Sequence, residues 1–75
     1  MKKFTMNLKW IEMMDRINEA VTLINTYRPD IKNNKLVVQM TNDSNRDNIT
    51  RENGQKYTKK NLIQIAEELA NLVRG

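Results

Sequence analysis

Residues 35–40, Lys35-Leu36-Val37-Val38-Gln39-Met40, decide the fold. The run is short and holds a β-branched pair, which favours a strand over a helix. As a strand it turns Leu36, Val38 and Met40 to one side and Val37 and Gln39 to the other. Residues 41–48 (TNDSNRDN) are almost wholly polar and read as a loop. Beyond them, Ile49-Thr50 and Tyr57-Thr58 flank Asn53-Gly54. Asn-Gly is a strong hairpin signal, because both residues tolerate the positive φ of a type I′ turn. The middle of the chain therefore predicts a two- or three-stranded antiparallel sheet.

On its N-terminal side lies an amphipathic helix over residues 7–27. Met6, Trp10, Met13, Met14, Ile17, Ala20, Val21, Ile24 and Tyr27 recur at spacings of three and four. Thr5 or Asn7 can cap its start, and Glu12 and Arg16 form an i,i+4 pair on the wet face. Pro29 sets its end, because the residue before a proline is pushed out of the α region. On the C-terminal side a second helix runs over residues 59–74, capped by Thr58. Its apolar stripe is Leu62, Ile65, Ala66, Leu69, Leu72 and Val73. The expected fold is α+β in the order α-β-β-β-α, with two amphipathic helices packed on the small sheet.

With 75 residues the chain is expected to form a single domain, 1–75. So small a core offsets chain entropy narrowly. The usual staples are disulfides, metals or a second subunit. Cys and His are both absent, which removes the disulfide framework and the common zinc sites. A homo-oligomer, most simply a twofold dimer, is the expectation that remains. Asn7 and Lys9 break the run after Met1-Lys2-Lys3, so no export signal is read there. No stretch has the ~20 apolar residues of a membrane span, and a cytoplasmic protein is expected. The load of Asn, Lys and Ile is that of AT-rich codons, as in a low-GC bacterium or a phage or plasmid living in one.

Catalytic parts are missing. The usual general base and the strongest nucleophile are absent, and the only glycines, Gly54 and Gly75, form no phosphate loop. Glu67 and Glu68 are adjacent on a helix and point about 100° apart. Asp43-Ser44-Asn45-Arg46-Asp47 imitates the opening of a calcium loop, but Gly54 stands where the bidentate Glu is needed. No metal, cofactor or enzyme activity is expected, and function is expected to lie in binding.

Two surfaces can carry it. Net charge is +4, and residues 30–60 hold seven cations against four anions. Lys59 and Lys60 open the second helix, whose free N–H groups and positive dipole end suit phosphate. Arg51 and Lys56, on the hairpin, can lie beside them. Trp10 and Tyr27 fall on the apolar stripe and are expected in the core. That placement leaves only Phe4 and Tyr57 free to stack on bases, which argues against single-strand recognition by stacking.

Thr58-Lys59-Lys60-Asn61-Leu62-Ile63 resembles the start of the second helix of the double-stranded RNA-binding domain, whose motif is of the type K-K-x-A-K. That family shares the α-β-β-β-α order. The resemblance covers about six residues plus element order, and it implies phosphate contacts at Lys59 and Lys60. Ile63 replaces the third lysine, so one such contact is lost.

The other surface is apolar. Leu8, Ile11, Leu23, Ile63 and Ala70 fall off the helical stripes and can form an exposed patch for another protein. The charge excess is mild and no nucleic-acid signature is complete. The sequence therefore favours a protein-binding regulator or inhibitor, of the kind phage and plasmids encode. A nucleic-acid-binding accessory protein is the alternative.

Overall fold

The computed structural model describes residues 8–75, and the side chains of 43, 45 and 47 are outside that description. The expectations for Met1, Lys2, Lys3, Phe4, Thr5, Met6 and Asn7 therefore fall outside the described residues. Among the described residues three α-helices make the fold: α1 (Leu8–Tyr27), α2 (Lys35–Thr41) and α3 (Lys59–Arg74). Short 3₁₀ turns, Pro29–Ile31 and Asp43–Asn48, connect them. No strand or sheet occurs among the described residues, so the expected α+β fold and α-β-β-β-α order are overturned. The element order that supported the likeness to the double-stranded RNA-binding domain goes with them.

Residues 35–41 wind into a helix because their ends and one face are satisfied that way. The Asn34 side chain accepts from the Leu36 amide at 2.9 Å, and the Val38 amide bonds Asn34 O at 2.9 Å. Val37 and Met40, three apart, are buried, while Val38 is 51% exposed. That spacing is helical, and it cancels the expected alternation of 36, 38 and 40 against 37 and 39. Lys, Leu, Gln and Met are good helix formers, and two valines cost only tenths of a kcal/mol.

The Asn53-Gly54 turn does form, but differently. The Gly54 amide bonds Arg51 O at 2.9 Å and the Arg51 amide bonds Gln55 O at 2.7 Å. Gly54 has φ +89, and no non-glycine residue among those described has positive φ. Asn53 therefore excludes a type I′ turn. The arrangement is a three-residue loop that ends on a left-handed glycine. Pairing stops at the isolated Thr50–Lys56 bridge and the bond from the Tyr57 amide to Ile49 O.

Both long helices match their expected ranges closely. α1 buries Met13, Ile17, Ala20 and Ile24, and it ends at Tyr27 before Pro29. Tyr27, expected in the core, is 68% exposed. α3 turns a different face inward from the one its longest apolar residues mark. Leu62, Ile63, Ala66 and Ala70 are buried, whereas Leu72 is 57% exposed. Spacings of three and four join 63, 66 and 70 as well as they join 62, 66 and 69. Small residues at Ala20 and Ala66 sit in one buried cluster with Met13, Ile17, Met40, Ile49, Leu62 and Ile63.

Polar contacts fasten the outside. Arg16 faces Glu19 at 3.8 Å and Glu67 of α3 at 3.7 Å, and Arg74 bonds Glu19. Arg16 thus makes these ion pairs rather than the expected one with Glu12. The segment read as a plain loop contains a buried arginine: Arg46 is 3% exposed. Its Nε donates to Met40 O at 3.1 Å and its Nη1 to Asn18 Oδ1 at 2.7 Å. No helix of the described residues is long and apolar enough to cross a membrane.

A basic cleft beside two aromatic rings

The start of α3 lies against the start of α1. Thr58 caps α3, its Oγ1 accepting from the Asn61 amide at 3.1 Å. Lys59 and Lys60 come next, and the first turn contains no acidic residue. From α1 come Lys9 and Trp10. Together these side chains border an open cleft of about 640 Å³, with Met13 and Leu62 contributing apolar lining and Arg46 and Tyr57 completing the wall. Lys9, Lys59 and Lys60 bring three exposed cations to it, and no Asp or Glu is among its described lining residues. The positive end of the α3 dipole adds to that field.

Each ring carries a cation. Lys59 Nζ lies 5.9 Å from the Trp10 ring centroid, and the Arg51 guanidinium lies 4.3 Å from that of Tyr57. Arg51 is held there from a second side, as its Nη2 donates to Asn61 Oδ1 at 3.0 Å. The hairpin and the first turn of α3 thus share one guanidinium. Trp10 is half-buried rather than enclosed, so the expectation of a core tryptophan is corrected: it packs on the core and lines the cleft.

Of the four basic candidates, Lys59 and Lys60 line this cleft and Arg51 lies beside it on the Tyr57 ring. Lys56 is exposed on the hairpin, paired to Thr50 through its backbone, and lines neither this cleft nor its neighbour. Lys9, Trp10 and Arg46 were not legible as members. No local pattern joins residues nearly fifty positions apart, and a single ring on an apolar stripe reads as core.

The apolar candidates do not make one surface. Ile63 is buried, and so is Ala70. Leu8 is 72% exposed and Ile11 just over a third, at one end of α1. Leu23 is half-buried fifteen residues further along, roughly 22 Å away at 1.5 Å per residue. There it borders a separate shallow hollow with Tyr27, Val73 and Arg74.

Among the described residues, no group of three or more His, Cys, Asp or Glu side chains could hold a metal ion. No protein-family model, curated protein or solved structure matches this chain.

Proposed function

We propose that the chain is a non-catalytic, cytoplasmic nucleic-acid-binding protein that takes phosphates in the cleft between the starts of α1 and α3. One observation carries this reading. The cleft brings together the exposed Lys9, Lys59 and Lys60 at the positive end of α3, with no Asp or Glu among its described lining residues. Phosphate contacts of this kind give affinity with little base readout. The protein-binding regulator favoured by sequence loses support, because its four residues are split between the core and two ends of α1.

The test is fluorescence anisotropy of labelled nucleic acid between about 50 and 200 mM salt. Binding should weaken steeply as salt rises. Lys59→Ala with Lys60→Ala should weaken it at every sequence and reduce the salt slope by about 1.5. Absence of binding at about 50 mM salt, or affinity indifferent to salt, ends this reading.

A second reading keeps the regulator, on the exposed Tyr27 and Leu72 at the far end of the bundle. Tyr27→Glu with Leu72→Glu should then abolish self-association or partner capture while leaving nucleic-acid binding unchanged.

A further inference from the structure

The phosphate cleft has a neighbour. On the other side of Tyr57 lies a second open cleft, of about 330 Å³, bordered by Lys35, Leu36, Gln39, Thr50, Arg51 and Glu52. Tyr57 lines both clefts and so stands as the wall that they share. Lys9, Lys59 and Lys60 lie on one side of that wall, Lys35 on the other, and Arg51 lies over the ring itself. Glu52 is the one acidic residue among the described lining of the pair.

Resting on the nucleic-acid reading above, we infer that the ligand is a single strand laid across both clefts, with Tyr57 and the Arg51 guanidinium as the stacking surface between two phosphate seats. The volumes lie within or near the range of about 300–1,000 Å³ typical of small-molecule sites, room for a nucleotide-sized group on each side. A duplex offers phosphates but keeps its bases stacked inside, so aromatic groups recessed in clefts gain nothing from it. A single strand presents base faces, and every base has a face that an aromatic ring or a guanidinium plane can cover. The cation on Tyr57 fits the same purpose. It is anchored by Asn61 and held over the ring.

The experiment titrates the whole chain with four polyanions: a short oligothymidylate, a short oligouridylate, a DNA duplex of matching length, and heparin, which has no bases. Both single strands should bind about tenfold more tightly than the duplex, the size of one base stack. Emission from Trp10, the one tryptophan, should change with the single strands and not with heparin. Tyr57→Ala should erase the preference for single strands while leaving heparin affinity in place, which also certifies that the variant is folded. Tyr57→Phe should keep the preference. Lys35→Ala should weaken the single strands more than the duplex.

Equal or tighter duplex binding, unchanged Trp10 emission at saturation, or a Tyr57→Ala loss that extends equally to heparin overturns the single-strand assignment. It leaves the phosphate cleft standing. If none of the four polyanions binds, the nucleic-acid reading itself falls. The two sugars separate a DNA strand from an RNA strand as the source, and either one supports the assignment if it outcompetes the duplex.

Discussion

The side-chain amide of Gln39 pairs with both backbone groups of Thr50. Its Nε2 donates to Thr50 O at 3.1 Å, and its Oε1 accepts from the Thr50 amide at 3.1 Å. A primary amide offers one donor and one acceptor side by side, as a neighbouring strand would. The extended piece around Thr50 therefore finds its lateral partner on α2, and the hairpin needs no further strand. Gln39→Leu should cost about 1–3 kcal/mol, because both Thr50 groups lose their partner in a half-buried setting. Urea unfolding measures it, and a loss below about 0.5 kcal/mol would mean that water substitutes freely.

Arg46 holds the 43–48 turn to the bundle through Met40 O and Asn18. Arg46→Met keeps an apolar stem but removes every donor. It should cost about 2–4 kcal/mol, since hydrogen bonds from a charged group are worth about 1.5–3 kcal/mol each and acceptors are orphaned. The same unfolding experiment reads it. A neutral outcome would show that the turn is dispensable.

Two neighbouring valines separate helix from strand. Val37 is 2% exposed and Val38 51%. Val37→Asp should cost about 3 kcal/mol or more by burying an unpaired carboxylate, and Val38→Asp should stay within about 0.5 kcal/mol. The strand reading places both positions on opposite faces of a sheet and predicts no such ranking. If Val38→Asp proves the more damaging change, the helix is wrong.

Arg28 and Asp30 form an exposed two-pronged pair across the corner after α1, with Nε to Oδ1 at 3.0 Å and Nη2 to Oδ2 at 2.9 Å. The hydrogen bonds from Arg28 hold the Asp30 carboxyl below its ordinary value. A depressed folded value stabilises above the unfolded carboxylate pKa, about 3.9, and that contribution fades as pH falls through the folded midpoint. Carbon-13 titration of Asp30 should give a midpoint below the ordinary one, and Arg28→Ala should return it. A midpoint at or above the ordinary value in the intact chain would contradict the pairing.

Much of the bundle is legible locally. The 3.6-residue period of α1 and α3, the Thr58 cap, the stop before Pro29 and a turn at Asn53-Gly54 all arise from interactions within a few residues, and all are present in the structure. The basic trio Lys59, Lys60 and Arg51 was legible too, because a helix start and a turn place cations predictably. The wrong reading at residues 35–40 came from the kind of run in which period is weakest: six residues fit an alternation and a helical stripe almost equally. Propensity then voted for a strand, and the surroundings overruled it. The overlooked local sign was Asn34, a residue suited to cap a helix beginning at Lys35.

The chain's own order of residues determined two helices, their ends and one tight turn. Only tertiary contact decided which face of α3 is buried, that Arg46 is interior, that α2 is helical, and that Trp10 meets Lys59 beside a cleft. The division has one physical cause. Hydrogen-bond period and capping act over three or four residues, whereas burial and charge convergence depend on which distant surface arrives opposite.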